Sequence, residues 1–153
     1  MERHHDPDER GRGYTGDNFG KGYLWRGMAH GKAGKERPAV EDFDRAIAKN
    51  PRLYDAYKYR GAFLGRAGKF EESVRDLTVY LNQKPQDADF LFNRGLSLMN
   101  LGRYREAIVD FSKTLEISPN NTRAYAMRAN AWRALGETTK AEADEAEAAR
   151  RGG

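Results

Sequence analysis

The sequence predicts an all-α solenoid of four helix hairpins, and three observations carry that prediction. Pro51, Pro85 and Pro119 stand 34 residues apart, twice in succession. Nine residues after each comes an arginine, Arg60, Arg94 and Arg128, followed at once by a small residue, Gly61, Gly95 and Ala129. Gly68, Gly102 and Gly136 keep the same period, and one period earlier lie Arg26, Gly27 and Gly34. Self-similarity at a fixed period of roughly 20–50 residues marks a solenoid. One such unit cannot bury its own apolar face and must stack on its neighbours. The 153 residues then divide into an arm, 1–19, and a repeat domain, 20–153. The units fall at about 20–53, 54–87, 88–121 and 122–153.

The arm is polar and rich in glycine, without periodicity, and is expected to be loosely ordered. It carries three arginines against five acidic residues, so its net charge is −2 and the repeats hold +6 of the total +4. Residues 11–16 fit the dinucleotide pattern G-x-G-x-x-G, which requires a strand before it and a helix after it. A charged run and further glycine flank it here, so it is read as flexible arm. His4, His5, Asp6 and Asp8 are adjacent donors on such a segment and lack the fixed geometry of a specific metal site.

From residue 20 the pattern turns helical. The first helices of the four units are expected at 21–33, 54–67, 88–101 and 122–135. The second are expected at 38–49, 70–83, 104–117 and 138–150. Gly34, Gly68, Gly102 and Gly136 end the first helices in the left-handed conformation. Pro38 suits a first helical turn, where a missing amide costs nothing. Asp87 and Asn121 are expected N-caps, and Asp55 and Asp89 complement positive helix N-termini. The recurring prolines stop the second helices or turn the chain just beyond them. Gly61 and Gly95 allow close helix approach, with Phe43, Leu77 and Phe111 filling the space beside them. Tyr57, Leu64, Phe70, Val74 and Leu81 are core candidates in unit two. Leu91, Leu98, Tyr104, Ile108 and Leu115 are their counterparts in unit three.

Sixteen residues after each recurring arginine sits an aspartate. Arg26–Asp42, Arg60–Asp76, Arg94–Asp110 and Arg128–Asp144 therefore read as structural ion pairs across each hairpin. A guanidinium can hold a carboxylate with two parallel hydrogen bonds. The last helix offers little apolar bulk, as a terminal unit with a polar outer face requires.

These residues resemble the tetratricopeptide repeat family, whose pattern sets an aromatic, a glycine and a second aromatic before an alanine, an aromatic and a closing proline. Unit three matches with Gly95, Gly102, Tyr104, Ala107, Ile108, Phe111 and Pro119. Unit two matches with Tyr57, Gly61, Gly68, Phe70 and Pro85, but has Ser73 at the usual alanine. Unit one carries Tyr23, Gly27, Gly34, Ala39, Phe43 and Pro51. Unit four has Glu145 at the usual aromatic. The resemblance covers residues 20 to about 150. It implies a right-handed α-solenoid of four helix-turn-helix repeats, the last helix acting as C-terminal cap.

It also implies a concave groove, lined by the first helices, that takes a peptide or helix of a partner protein. Carried over residue by residue, the groove is expected to hold Leu24, Trp25 and Met28 from unit one and Lys58, Tyr59 and Ala62 from unit two. Unit three would add Phe92, Asn93, Leu96 and Met99, and unit four Arg123, Met127 and Asn130. Lys58, Asn93 and Arg123 fall on three of the five positions with which one subclass grips a peptide carboxylate. Ala62 and Met127 hold the other two and cannot donate.

No nucleophile–base pair accompanies any serine, and His30 is the only repeat-domain histidine, so no enzyme, cofactor or metal is expected. Without cysteine there is no disulfide or thiolate metal site. No apolar run reaches the length of a membrane span or a secretory leader, which fits a cytoplasmic protein. The favoured reading is a non-catalytic protein-interaction scaffold. The alternatives are contact with RNA, through arginines interleaved with Tyr14, Phe19 and Tyr59, and self-assembly. The acidic balance of the arm weighs against nucleic acid.

Overall fold

The computed structural model describes residues 20–152. The arm, with its glycine motif and histidine pair, lies outside them. Eight α-helices follow in pairs: α1 Lys21–Lys32, α2 Glu36–Lys49, α3 Tyr54–Arg66, α4 Phe70–Gln83, α5 Ala88–Asn100, α6 Tyr104–Ile117, α7 Thr122–Ala134 and α8 Thr138–Gly152. Among the described residues there is no strand. The molecule is an all-α helical repeat.

Each odd helix stops one residue earlier than the periodicity suggests. Gly34, Gly68, Gly102 and Gly136 then take φ between 74° and 81°. The left-handed residue lies outside the helix and sends the chain back along it. Helix α2 begins at Glu36, so Pro38 is its third residue and still among the amides that lack an intrahelical acceptor. Asn121 caps α7 through its side-chain oxygen, which accepts from the Ala124 amide at 3.0 Å. Asp87 precedes α5 but makes no capping bond. Its carboxylate accepts from the Tyr80 hydroxyl instead. Helix α8 runs on through Arg150 and Arg151 to Gly152, two residues past its expected end. Arg151 donates to Asn120 at 2.8 Å and to Glu147 at 2.9 Å, tying the helix end to the loop before α7.

Within each hairpin the two helices approach through a small residue. A Cβ on Gly95 would lie 2.6 Å from the Phe111 ring, and one on Gly27 would lie 2.6 Å from the Phe43 ring. Phe43, Phe111 and Leu77 are fully buried. Each even helix packs on the odd helix before it and the odd helix after it, and successive odd helices also touch. The odd helices therefore form the inner layer. Of the expected core, Leu64, Leu81, Leu91, Leu98, Ile108 and Leu115 are buried. Tyr57, Phe70, Val74 and Tyr104 are only partly covered.

Candidate functional site

The repeating ion pair is one built feature. Arg94 donates Nε and Nη2 to the two oxygens of Asp110, both at 2.8 Å. Arg60 holds Asp76 at 2.7 and 2.9 Å, and Arg128 holds Asp144 at 2.8 and 2.7 Å. Arg26 reaches both oxygens of Asp42, the closest contact being 2.7 Å. These carboxylates are nearly buried, and the hydrogen bond each guanidinium donates to its aspartate raises the pKa of Arg60, Arg94 and Arg128 further above the arginine range.

The third nitrogen does something the sequence offset did not announce. Arg60 Nη1 reaches Asp44 at 2.9 Å, Arg94 Nη1 reaches Thr78 at 3.2 Å, and Arg128 Nη1 reaches Ser112 at 3.1 Å. Each acceptor lies on the last helix of the preceding unit. One guanidinium therefore closes its own hairpin and staples it to the one before. The register continues to Ala146, which has no side-chain acceptor.

The inner layer holds the residues expected to line a groove, in unequal states. Trp25 is 63% exposed. Met28, Tyr59, Ala62, Asn93, Leu96, Met99 and Met127 are half-buried, and Asn130 and Arg123 are exposed. Leu24 and Phe92 are core residues at 6% exposure, so they offer a groove almost no surface. Phe92 packs on Phe111 and is covered by the Arg123 guanidinium, 5.0 Å above its ring. Lys58 is enclosed as well. Its ammonium stands 5.2 Å from the Tyr59 ring, 5.0 Å from Tyr80 and 5.1 Å from Phe90, with Asp55 at 3.8 Å. A cation held by three π-faces gives up that attraction if it turns to a ligand. Two of the three carboxylate-gripping positions are thus already engaged internally.

One feature of the inner face was not read from the sequence. A cleft of about 330 Å³ opens between α3 and α5 over Gly65, floored by Ser73 and Ser97. The signal was present in the register. Gly31 and Gly65 are equivalent, and so are Phe63 and Ser97. In the first junction the Phe63 ring fills the space over Gly31 and stacks on Phe43. In the second, a serine leaves that space open.

Among the described residues no group of acidic or histidine side chains has the arrangement of a metal site, and no helix is long and apolar enough to cross a membrane.

Two family models described as tetratricopeptide repeat match the chain, one over residues 26–88 and one over 88–121. Among solved structures the chain is similar to MamA. MamA MSR-1 is 26% identical, with a TM-score of 0.82 over 90% of this chain and 80% of that one. MamA AMB-1 is 25% identical, with a TM-score of 0.82 over 90% and 81%. A MamA RS-1 double mutant, 17% identical, reaches a TM-score of 0.83 over 86% and 74%, a likeness of fold alone. No curated protein sequence matches the chain.

Proposed function

We propose that this chain, which belongs to the tetratricopeptide repeat family, takes a peptide or helix of a partner protein on the inner face of its odd helices. A helical repeat of this family is a protein-interaction scaffold in general. The finer reading is supported by one observation. Met28, Leu96, Met99 and Met127 recur on the inner layer, partly open to solvent, although each has core residues beside it. Methionine is flexible and polarisable, and suits a surface that must adapt to a partner. Solenoids in general offer extended surfaces of this kind.

The reading is non-catalytic and cytoplasmic, and it assigns the arginine–aspartate pairs to structure. Recognition is mainly apolar, because Lys58 and Arg123 are engaged with rings. The test is selection from a random peptide library, followed by titration of the selected peptide into wild type, Met99→Glu and Met127→Glu. Both variants are expected to weaken binding about tenfold or more, since each places a charge against apolar contact. Unchanged binding by both would sink the groove reading.

A further inference from the structure

We propose that the cleft over Gly65 is a docking subsite for a tyrosine side chain of the partner protein; this deepens the peptide-binding reading and depends on it.

The hydrogen-bond directions at the floor decide the chemistry. Ser73 Oγ lies 2.8 Å from the Gly61 carbonyl, which can only accept, so the Ser73 proton is committed there. In the 2.9 Å contact between Ser73 and Ser97, Ser97 must then be the donor. Both hydroxyl protons are used, and Ser97 Oγ is left with accepting capacity alone. Ser73 and Ser97 are 1% and 3% exposed, so this floor is dry unless a ligand or water enters. On the wall, Asn100 Nδ2 donates one proton to the Leu96 carbonyl at 2.9 Å, leaving its oxygen to accept and its second N–H to donate. Asn93 has no side-chain hydrogen-bond partner among the described residues. No carboxylate lines the cleft.

An occupant that reaches the floor must therefore bring a proton for Ser97 Oγ and bulk to fill the space, while the two asparagines can meet either a donor or an acceptor. The first junction shows which bulk fits, because an aromatic ring occupies the equivalent space there. A phenol supplies both ring and donor. An ammonium would donate, but Arg66 stands at the mouth and repels it. The same guanidinium already lies 4.5 Å above the Phe63 ring and attracts a second aromatic face. A carboxylate can meet Arg66 and the asparagine amides at the rim, but it brings neither the ring that fills the space nor a donor for the Ser97 oxygen at the floor.

The probe is p-cresol, with toluene as its analogue lacking the hydroxyl, titrated into the full ¹⁵N-labelled chain. The expected result is amide shifts at Gly65, Asn93 and Ser97, with p-cresol binding about threefold or more tighter than toluene. Ser97→Ala is expected to remove that difference; units one and four carry Ala29 and Ala131 at this register, so the fold accepts it. Ser73→Ala with Ser97→Phe copies Ala39 and Phe63 of the first junction and is expected to abolish both bindings. If that variant fails to fold, Ala62→Leu closes the cleft with the residue that unit three carries as Leu96. Absence of shifts at these amides, or equal binding of p-cresol and toluene by wild type, overturns the proposal. A selected tyrosine peptide bound equally well by the cleft-filled variant overturns the subsite while the groove reading stands. If no peptide is selected although p-cresol binds, the groove reading falls, and with it the partner assigned to the cleft.

Discussion

Gly95 and Ala129 occupy the same register and answer to different neighbours. Gly95 faces the Phe111 ring, where a Cβ would sit at 2.6 Å, inside any real contact distance. Ala129 is fully buried, but at the register of the Phe111 ring its unit carries Glu145, an exposed residue bonded to Arg133, so no ring bars a methyl group. Gly95→Ala is expected to destabilise the chain by about 1–3 kcal/mol through overpacking. Ala129→Gly is expected to cost about 1–2 kcal/mol, from helix propensity and the lost burial of its methyl group. Urea unfolding checks both variants; no loss in Gly95→Ala would mean the ring at 111 moves aside. Ser73 is a similar departure with a local cause, since its hydroxyl bonds the Gly61 carbonyl where the other units bury alanine. Lys58 was expected to be a ligand-facing cation because the family resemblance placed it on a groove position that grips a peptide carboxylate. Three rings, one from its own helix and two from the next two helices, enclose it, and they lie 1, 22 and 32 residues away in the chain.

At the scale of the element, helix starts and stops were legible to about two residues. Caps are local chemistry, so Asn121 before α7 was readable. Asp87 was not, because its carboxylate is drawn to Tyr80, a residue on the preceding helix. Burial, first, and the bond to Asp87, second, push the Tyr80 hydroxyl well above its ordinary value. A group whose folded pKa is raised contributes stability that is fully present below its unfolded pKa, near 10, and is lost as pH rises through the folded value. The expected outcome is a Tyr80 that ionises above the ordinary tyrosine range, with stability falling above pH ~10 more steeply in wild type than in Tyr80→Phe. Absorbance at alkaline pH and paired urea curves measure both; identical pH slopes would contradict the assignment.

For the whole molecule, Arg60, Arg94 and Arg128 each join three things: their own two helices and the unit before. Solenoid stability is a sum of unit and nearest-neighbour terms. Arg94→Ala leaves Asp110, 3% exposed, without its cation, and frees Thr78 on the preceding helix. Removing one member of a buried pair costs about 3–5 kcal/mol, less here because the arginine is partly open to solvent. Hydrogen exchange is expected to quicken in α4, α5 and α6 and to change little in α1 and α2. Uniform acceleration along the chain would show that the units do not couple through this contact.

The period, the helix order, the glycine turns and the arginine–aspartate pairing were determined by the sequence alone. Each depends on residues within one 34-residue repeat, where spacing maps directly onto a helix face. The engagement of Lys58 and Arg123 with rings, the burial of Leu24 and Phe92, the staple from Nη1 to the preceding unit and the cleft over Gly65 were decided by tertiary structure. Each arises where one unit meets the next, and the space left there depends on the summed volume of side chains from two units. The exchange of one phenylalanine for one serine at the same register opens the second junction, and only the stacked helices show the gap it leaves.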